Sequence, residues 1–359
     1  MSLILTDNRP FDPDKCLPWK GMKRCALRQD GTVYKYHHPE DTNKWEDGSN
    51  VDWNQYEKDG LNCMLEIPKF YYAKYPYNMD GTYEQGHIWV VSDTLEEGFE
   101  LHPAFYRCRD KSCDDSTGIA KEVDYRYRAA FLGWKDNNNM LRSLPNKLPL
   151  TNIKIADSRN YAKKNGFGWG ILDYNLFYAC QLLFAVEYGN YDSQTILGKG
   201  YVDGNSDKTN TGATLSKGNY SYGETTGKKQ MSYRGIEDMW GNCLYWLDGF
   251  FCDNNMNIKI GNKCFNDSGN GYKTYGTSLS EGVAGYISDI YSDKNFGFVI
   301  KSGGASNISK FYNYGGLYKN SLPYAGGAWS SGPNIGAFYF YCGTSNSSIS
   351  SQVGCSIVF

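Results

Sequence analysis

The chain has 359 residues, with 37 Lys and Arg against 39 Asp and Glu, so its formal net charge of -2 offers no long-range attraction to nucleic acid or an anionic membrane. No stretch of about eighteen apolar residues exists and the Met-Ser-Leu-Ile-Leu start lacks a basic leader, which argues against membrane insertion and for folding in a cytoplasm. Eleven cysteines, odd in number and without a Cys-x-x-Cys pair, point to reduced, buried thiols and away from a disulfide framework or a structural zinc.

Aromatic residues reach 16%, with 31 Tyr and 40 Gly, which predicts short strands and many turns in which tyrosines serve both core and surface. Residues 1–63 are polar and punctuated. Asp30-Gly31 sits between two short runs that can pair as a hairpin, and the charged stretch after His38 reads as a loop. This N-terminal segment is expected to pack on the rest or on a neighbour as an attachment element. From Met64, "MLEIPKFYYAKYPYNMDGTYEQGHIWVVS" predicts aromatic-rich strands around Asp80-Gly81, and Glu122 to Trp134 alternates as another strand.

Helical spacing is confined to the middle. "TNIKIADSRNYAKKNG" offers Thr151 as an N-cap and Gly166 as a stop, and "LDYNLFYACQLLFAVEYGN" is apolar all round and ends at Gly189, so the second helix should be buried. After a loop from Gly198 to Thr226 the chain returns to short strands in "CLYWLDGFF", "MNIKIGNKCF", "NFGFVIKSGG", "GAFYFYC" and "GCSIVF". Two helices among short, loop-connected strands predict an α+β fold.

Catalytic signals are sparse. All four histidines (His37, His38, His87, His102) lie in the first third, and His37-His38 beside Pro39-Glu40-Asp41 reads as a solvated loop. The loop from Asp203 to Thr214 begins like a calcium loop with Asp203, Asn205 and Asp207. Its twelfth position is Thr214, where a bidentate Glu is needed, so an Asx-rich turn is the default and calcium the exception.

The run "MSYRGIEDMWGNCLYWLDGF", Met231 to Phe250, resembles the Gly-x-x-Asp-Met-x-Gly-Asn-Val-x-Glu-Trp segment of the formylglycine-generating-enzyme type of C-type lectin fold, with Cys243 and Tyr245 as departures. Upstream, "GFELHPAFYR", "EVDYRYRAAFLG", "LRSLP" and "SRNYAKKNGFGWGILDYNLFYACQLLFAVEYGNYDSQTILGKG" resemble successive blocks of phage tail and fibre proteins built on that fold. The final segment is similar to those that diversity-generating retroelements rewrite. It matches at Gly326-Gly327, Trp329-Ser330, Gly332, Gly336-Ala337-Phe338, Ser345 to Ser348 and Val353-Gly354, and departs at Cys355-Ser356, where an Arg commonly follows the glycine.

The resemblance implies a C-type lectin-like domain over 64–359, of short twisted antiparallel strands with two helices and long loops, and a ligand-facing, variable region over 302–359. It implies a phage receptor-binding tail or tail-fibre protein of the virion, a homo-oligomer with a trimer favoured, meeting other tail proteins and a host cell-surface glycan or protein. A structural tail or capsid-decoration protein and a formylglycine-generating oxidase relative are the alternatives. The oxidase uses a close pair of copper-binding thiols, whereas Cys342 has no cysteine nearby in sequence and Cys355 lies thirteen residues on. Neither catalysis nor a cofactor is therefore expected.

Composition agrees with a binding role. From Asn320 to Phe359 there is no charged residue or histidine, and Ser, Gly, Asn and Tyr make up 21 of the 40 residues. Rigid amphipathic aromatics with small hydrogen-bonding spacers are the residue types of recognition surfaces. The candidate contact positions are Tyr312, Tyr314, Ala328, Trp329, Ser330, Pro333, Asn334, Tyr339, Tyr341, Cys342 and Gly343. In "AFYFY" one alternate set should face the core, so about half of these aromatics are expected to be structural.

Overall fold

The computed structural model describes residues 3–4, 11–77, 83–109, 118–291, 293–304 and 313–359. Strands dominate, with four α-helices among the described residues, of which Tyr174–Tyr188 is the longest. None of these helices is long and apolar enough to cross a membrane.

Two sheets organise the chain. The first has seven strands in the order Gly170–Ile171, Ile357–Val358, Tyr125–Ala129, Asn62–Pro68, Lys23–Leu27, Val33–His38 and Asp41–Trp45. Its neighbours are antiparallel throughout. The Asp30-Gly31 hairpin forms, with Gly31 at a φ of 82°. The stretch after His38 is not a loop: Asp41–Trp45 pairs back on Val33–His38, and Asp52 caps a short helix, Trp53–Lys58, by accepting from the Asn54 and Gln55 amides. The expected boundary at residue 63 falls inside the Asn62–Pro68 strand, and the segment before it supplies three strands to the sheet that also holds residues 357–358.

The second sheet has six strands, in the order Val283–Tyr286, Tyr314–Leu317, Phe340–Thr344, Leu322–Ala325, Leu244–Trp246 and Val353–Gly354. Three of these six strands come from the uncharged ending. A third group pairs Tyr71–Tyr77 with Tyr83–Ser92 as the expected hairpin, whose Asp80-Gly81 turn lies outside the described residues.

The long helix joins these parts. Asp173 caps its start by accepting from the Leu176 amide at 3.1 Å, and Gly189 ends it at a φ of 59°, the left-handed value that favours glycine. Thirteen of its fifteen residues are buried, as an all-round apolar sequence requires. Tyr178 meets Trp89, Phe177 meets Tyr245, and Phe184 meets Phe338. The shorter helix, Ile155–Lys163, starts four residues after the expected cap, because Thr151 is drawn into a bridge with Gly354.

Ten free cysteines lie among the described residues, eight of them buried. Cys355 is buried and its carbonyl accepts from the Gly133 amide at 2.8 Å, so the departure from the family pattern there leaves the last strand in place.

His37 is not in a solvated loop. It is 2% exposed and lies between the Trp45 and Trp53 rings at 4.8 and 5.6 Å, with Nδ1 2.9 Å from the Thr42 carbonyl. Burial, with Arg24 nearby, holds its imidazole down at about 3. The unfolded chain takes up a proton near pH 6.5 that the folded chain refuses until about pH 3, so this histidine lowers stability as pH falls through that window. Denaturant unfolding at pH 7.5 and 4.5 should show a His37-dependent loss of roughly 2–3 kcal/mol, and His37→Gln should remove that part of the acid sensitivity. An unchanged pH slope in the variant would contradict this origin.

Candidate functional site

The second sheet sorts its side chains by strict alternation. In the Phe340–Thr344 strand, Phe340 and Cys342 point inward and are 2% and 0% exposed. Phe340 packs on Tyr174 and Phe250 with centroids 5.6 and 5.1 Å away, and Phe338 just before the strand packs on Phe184 and Phe298. Tyr341 and Gly343 therefore take the outward face.

Neighbouring strands extend that face. Tyr324 is registered against Tyr341 across the antiparallel pair, and Gly316 against Tyr341 across the parallel one. Tyr314 shares a face with Gly316 and is registered against Tyr286 on the edge strand. The Tyr324 and Tyr341 rings lie 5.3 Å apart at 24°, Tyr318 and Tyr341 5.7 Å apart, and Tyr286 and Tyr314 6.4 Å apart. The Tyr339 and Tyr324 hydroxyls lie near one another. These six tyrosines are partly buried, and together they form a terrace along the sheet.

Two glycines shape it. A Cβ at Gly316 would stand 2.7 Å from Cδ2 of Tyr341, and one at Gly343 would stand 2.7 Å from its Cε1. The Tyr341 ring thus lies down across bare backbone, a position that any side chain at either glycine would occupy. Burial, and then Tyr341, pushes the Tyr324 hydroxyl up to about 12, and burial with Tyr318 raises that of Tyr341. These two phenols stay protonated.

The loop between Gly326 and Ala337 is bolted down. Gln181 on the long helix donates to the Ala337 carbonyl at 2.9 Å, Gln194 to the Gly332 and Ile335 carbonyls, and Ser193 Oγ accepts from the Ala337 amide. Pro333 and Asn334 remain exposed at the end of this loop, and Asn334 Oδ1 accepts from the Tyr286 hydroxyl at 2.7 Å. Ser330 is also exposed, but Gln352 donates to its hydroxyl at 3.1 Å.

Of the expected contact residues, the structure brings Tyr314, Tyr339, Tyr341 and Gly343 together and joins Asn334 to them through Tyr286. Ala328, Trp329 and Cys342 are corrections. Ala328 is 0% and Trp329 7% exposed, because the backbone of Trp329 is clamped between the Asn242 carbonyl and the Asn205 amide, each at 3.1 Å. Cys342 faces the core, where its thiol lies 3.1 Å from the Ser321 hydroxyl. Tyr312 lies outside the described residues. Tyr286, Tyr318 and Tyr324 were missed, although the alternation in "LPYAGG" already set Tyr324 apart from its neighbours.

Burial pushes the Cys342 thiol up and carries Cys252 and Cys355 to about 12, so all three hold their protons. Among the described residues no three His, Cys, Asp or Glu side chains converge to hold a metal. In the calcium-like loop, Asp203 pairs with Lys199 at 2.9 Å, Asn205 donates to the Gly227 and Trp329 carbonyls, and Asp207 accepts from the Lys208 amide. A cavity of about 170 Å³ lined by Arg107, Arg159, Lys163, Trp169, Asp248 and Phe265, among others, shares no residue with the terrace.

No family model and no curated protein matches the chain. Among solved structures, the M1 variant of Major Tropism Determinant aligns with a TM-score of 0.35 and 13% identity, over 94% of this chain and 71% of that one. The I1 variant aligns at 0.33 and 14%, over 80% and 71%. PvdO from Pseudomonas aeruginosa aligns at 0.27 and 11%, over 83% and 94%. Likenesses this slight assign neither fold nor activity.

The close fit of Tyr341 over its glycines makes a direct test. Gly316→Val should lift the ring and cost about 1–3 kcal/mol in denaturant unfolding, and Tyr341→Ala in the same background should recover most of that loss. Additive losses in the double variant would mean that the two do not touch as described.

Proposed function

We propose that this chain is a receptor-binding protein of a phage tail or tail fibre, with a C-type lectin-like fold, which reads a host cell-surface molecule through its tyrosine terrace without catalysis or a required cofactor. The observation that carries this reading is the terrace itself. Six tyrosines share one face of one sheet, anchored beneath by Phe338, Phe340 and the long helix. A chain gains nothing in stability by leaving such rings partly uncovered, whereas tyrosines held rigid supply contact area at little entropic cost.

The ordered motifs of the sequence add to it. The Gly235-to-Trp246 segment and the closing glycine-serine pattern resemble phage proteins that vary their C-terminal residues, and all of the terrace tyrosines but Tyr286 lie within that C-terminal part of the chain. Raised thiols and dispersed carboxylates favour a binder over an oxidase. Several copies on one particle would turn a shallow site into firm attachment by avidity.

The test is binding to a panel of intact bacterial strains. The parent and Tyr34→Ala, which alters an exposed tyrosine of the first sheet, should bind the same subset. Tyr324→Ala/Tyr341→Ala, with its fold checked by circular dichroism, should lose about 10-fold or more in affinity. Equal binding by all three proteins, or no strain bound by the parent, would make assembly within the particle the better account.

A further inference from the structure

We infer that the terrace takes a neutral saccharide and does so without calcium. The inference rests on the receptor-binding reading and adds the chemical class of the ligand.

Charge excludes the first group of partners. The outward positions of the strands from Val283 to Thr344 carry phenols, glycine and Ala284, and the nearby Lys319 is paired with Glu281 at 3.0 Å. Such a face offers neither cations to an acidic polymer nor carboxylates to a basic one. A protein partner would use tyrosines as anchors that project into its own pockets. Here the central Tyr341 ring lies along the bare backbone of Gly316 and Gly343 and does not project.

The geometry suits a sugar ring instead. Tyr341 is laid flat by Gly316 and Gly343, so one ring face rests on backbone, and the Tyr324 ring lies near-parallel to it at 5.3 Å. The C–H face of a pyranose packs on such a ring as any apolar surface does, while its hydroxyls reach sideways to polar groups. Those groups are present: the hydroxyls of Tyr314 and Tyr318, each able to donate and accept, and the amide of Asn334, whose oxygen is engaged by Tyr286 and whose NH2 therefore faces away from that bond. The ring is already held in place, so little freedom is lost on binding. Calcium has no role in this arrangement, since the terrace has no carboxylate to hold it.

The experiment uses the strains that the parent protein binds. Cells are treated with periodate, which cleaves the vicinal diols of sugars, or with proteinase K, and washed before the protein is added. Periodate should reduce binding by about 10-fold or more, and proteinase K should leave it within about twofold. EDTA and about 0.5 M NaCl should each change it by less than about twofold, because neither a metal nor a field contributes. Tyr341→Phe, which keeps the ring, should bind within about fivefold of the parent, and Tyr341→Ala should lose about 10-fold or more.

Loss under both treatments would mark a glycoprotein and leave the saccharide as the part recognised. Binding that survives periodate and is abolished by proteinase K would overturn the saccharide while the receptor-binding reading stands. Loss in EDTA or in salt would overturn it too, as would full binding by a folded Tyr341→Ala protein. If no strain is bound, both readings fall together.

Discussion

The buried ion pair between Arg126 and Asp173 is the joint on which the rest of the molecule depends. Its atoms are 2.5 Å apart and its side chains 1% and 3% exposed. Arg126 also donates to the Ala104 carbonyl at 2.6 Å and reaches the carbonyl of Phe359 at 3.4 Å. Burial alone would raise the Asp173 carboxyl, but Arg126, with Arg107 beside it, overcomes this and holds it below the usual range. A buried pair repays its desolvation only when further hydrogen bonds satisfy both partners, and here the same carboxylate caps the long helix. One interaction thus fixes a strand of the first sheet, the start of the helix and the end of the chain.

From that joint the order passes to the terrace. Asp248 follows the Leu244–Trp246 strand of the second sheet, and its carbonyl accepts from the Tyr174 amide at 2.8 Å while its amide donates to Leu172. Its carboxylate pairs with Arg159 at 2.7 Å. The second sheet is therefore tied to the first turn of the helix whose side chains floor it. A second buried network holds the loop before Ala337. Asp238 accepts from Asn242 and Gln230, Asn242 exchanges hydrogen bonds with Thr209, and the Asn242 carbonyl anchors Trp329. Burial, with Glu237 beside it, pushes the Asp238 carboxyl well above the usual carboxylate range.

These ties also explain what could be read from the chain alone. The long helix was legible because three independent signals agree: an all-round apolar run, Asp173 before it and Gly189 after it. The outward and inward sets of "AFYFYC" were legible because period two leaves no third choice. The start of the other helix was not, since Thr151 has the right chemistry for a cap and is claimed instead by a strand partner 203 positions away, Gly354. His37 and Trp329 were misplaced for a related reason. Trp329 is held by Asn205, 124 positions away, and His37 is enclosed by Trp45 and Trp53, which belong to a strand and a helix that no local pattern announces.

Alternation has a functional consequence that glycine limits. Side chains inward of the second sheet carry the core, so outward positions such as Tyr324 and Tyr314 can change without disturbing Phe340 or the helix beneath. A face built this way can be rewritten while its fold persists. Tyr341 is the exception, because its ring occupies the space where side chains at Gly316 and Gly343 would stand. A larger residue at either glycine displaces the ring, and a smaller residue at 341 uncovers the backbone that the ring shields. Gly316, Tyr341 and Gly343 therefore vary as one unit, and the flat ring at the middle of the terrace is its least replaceable part.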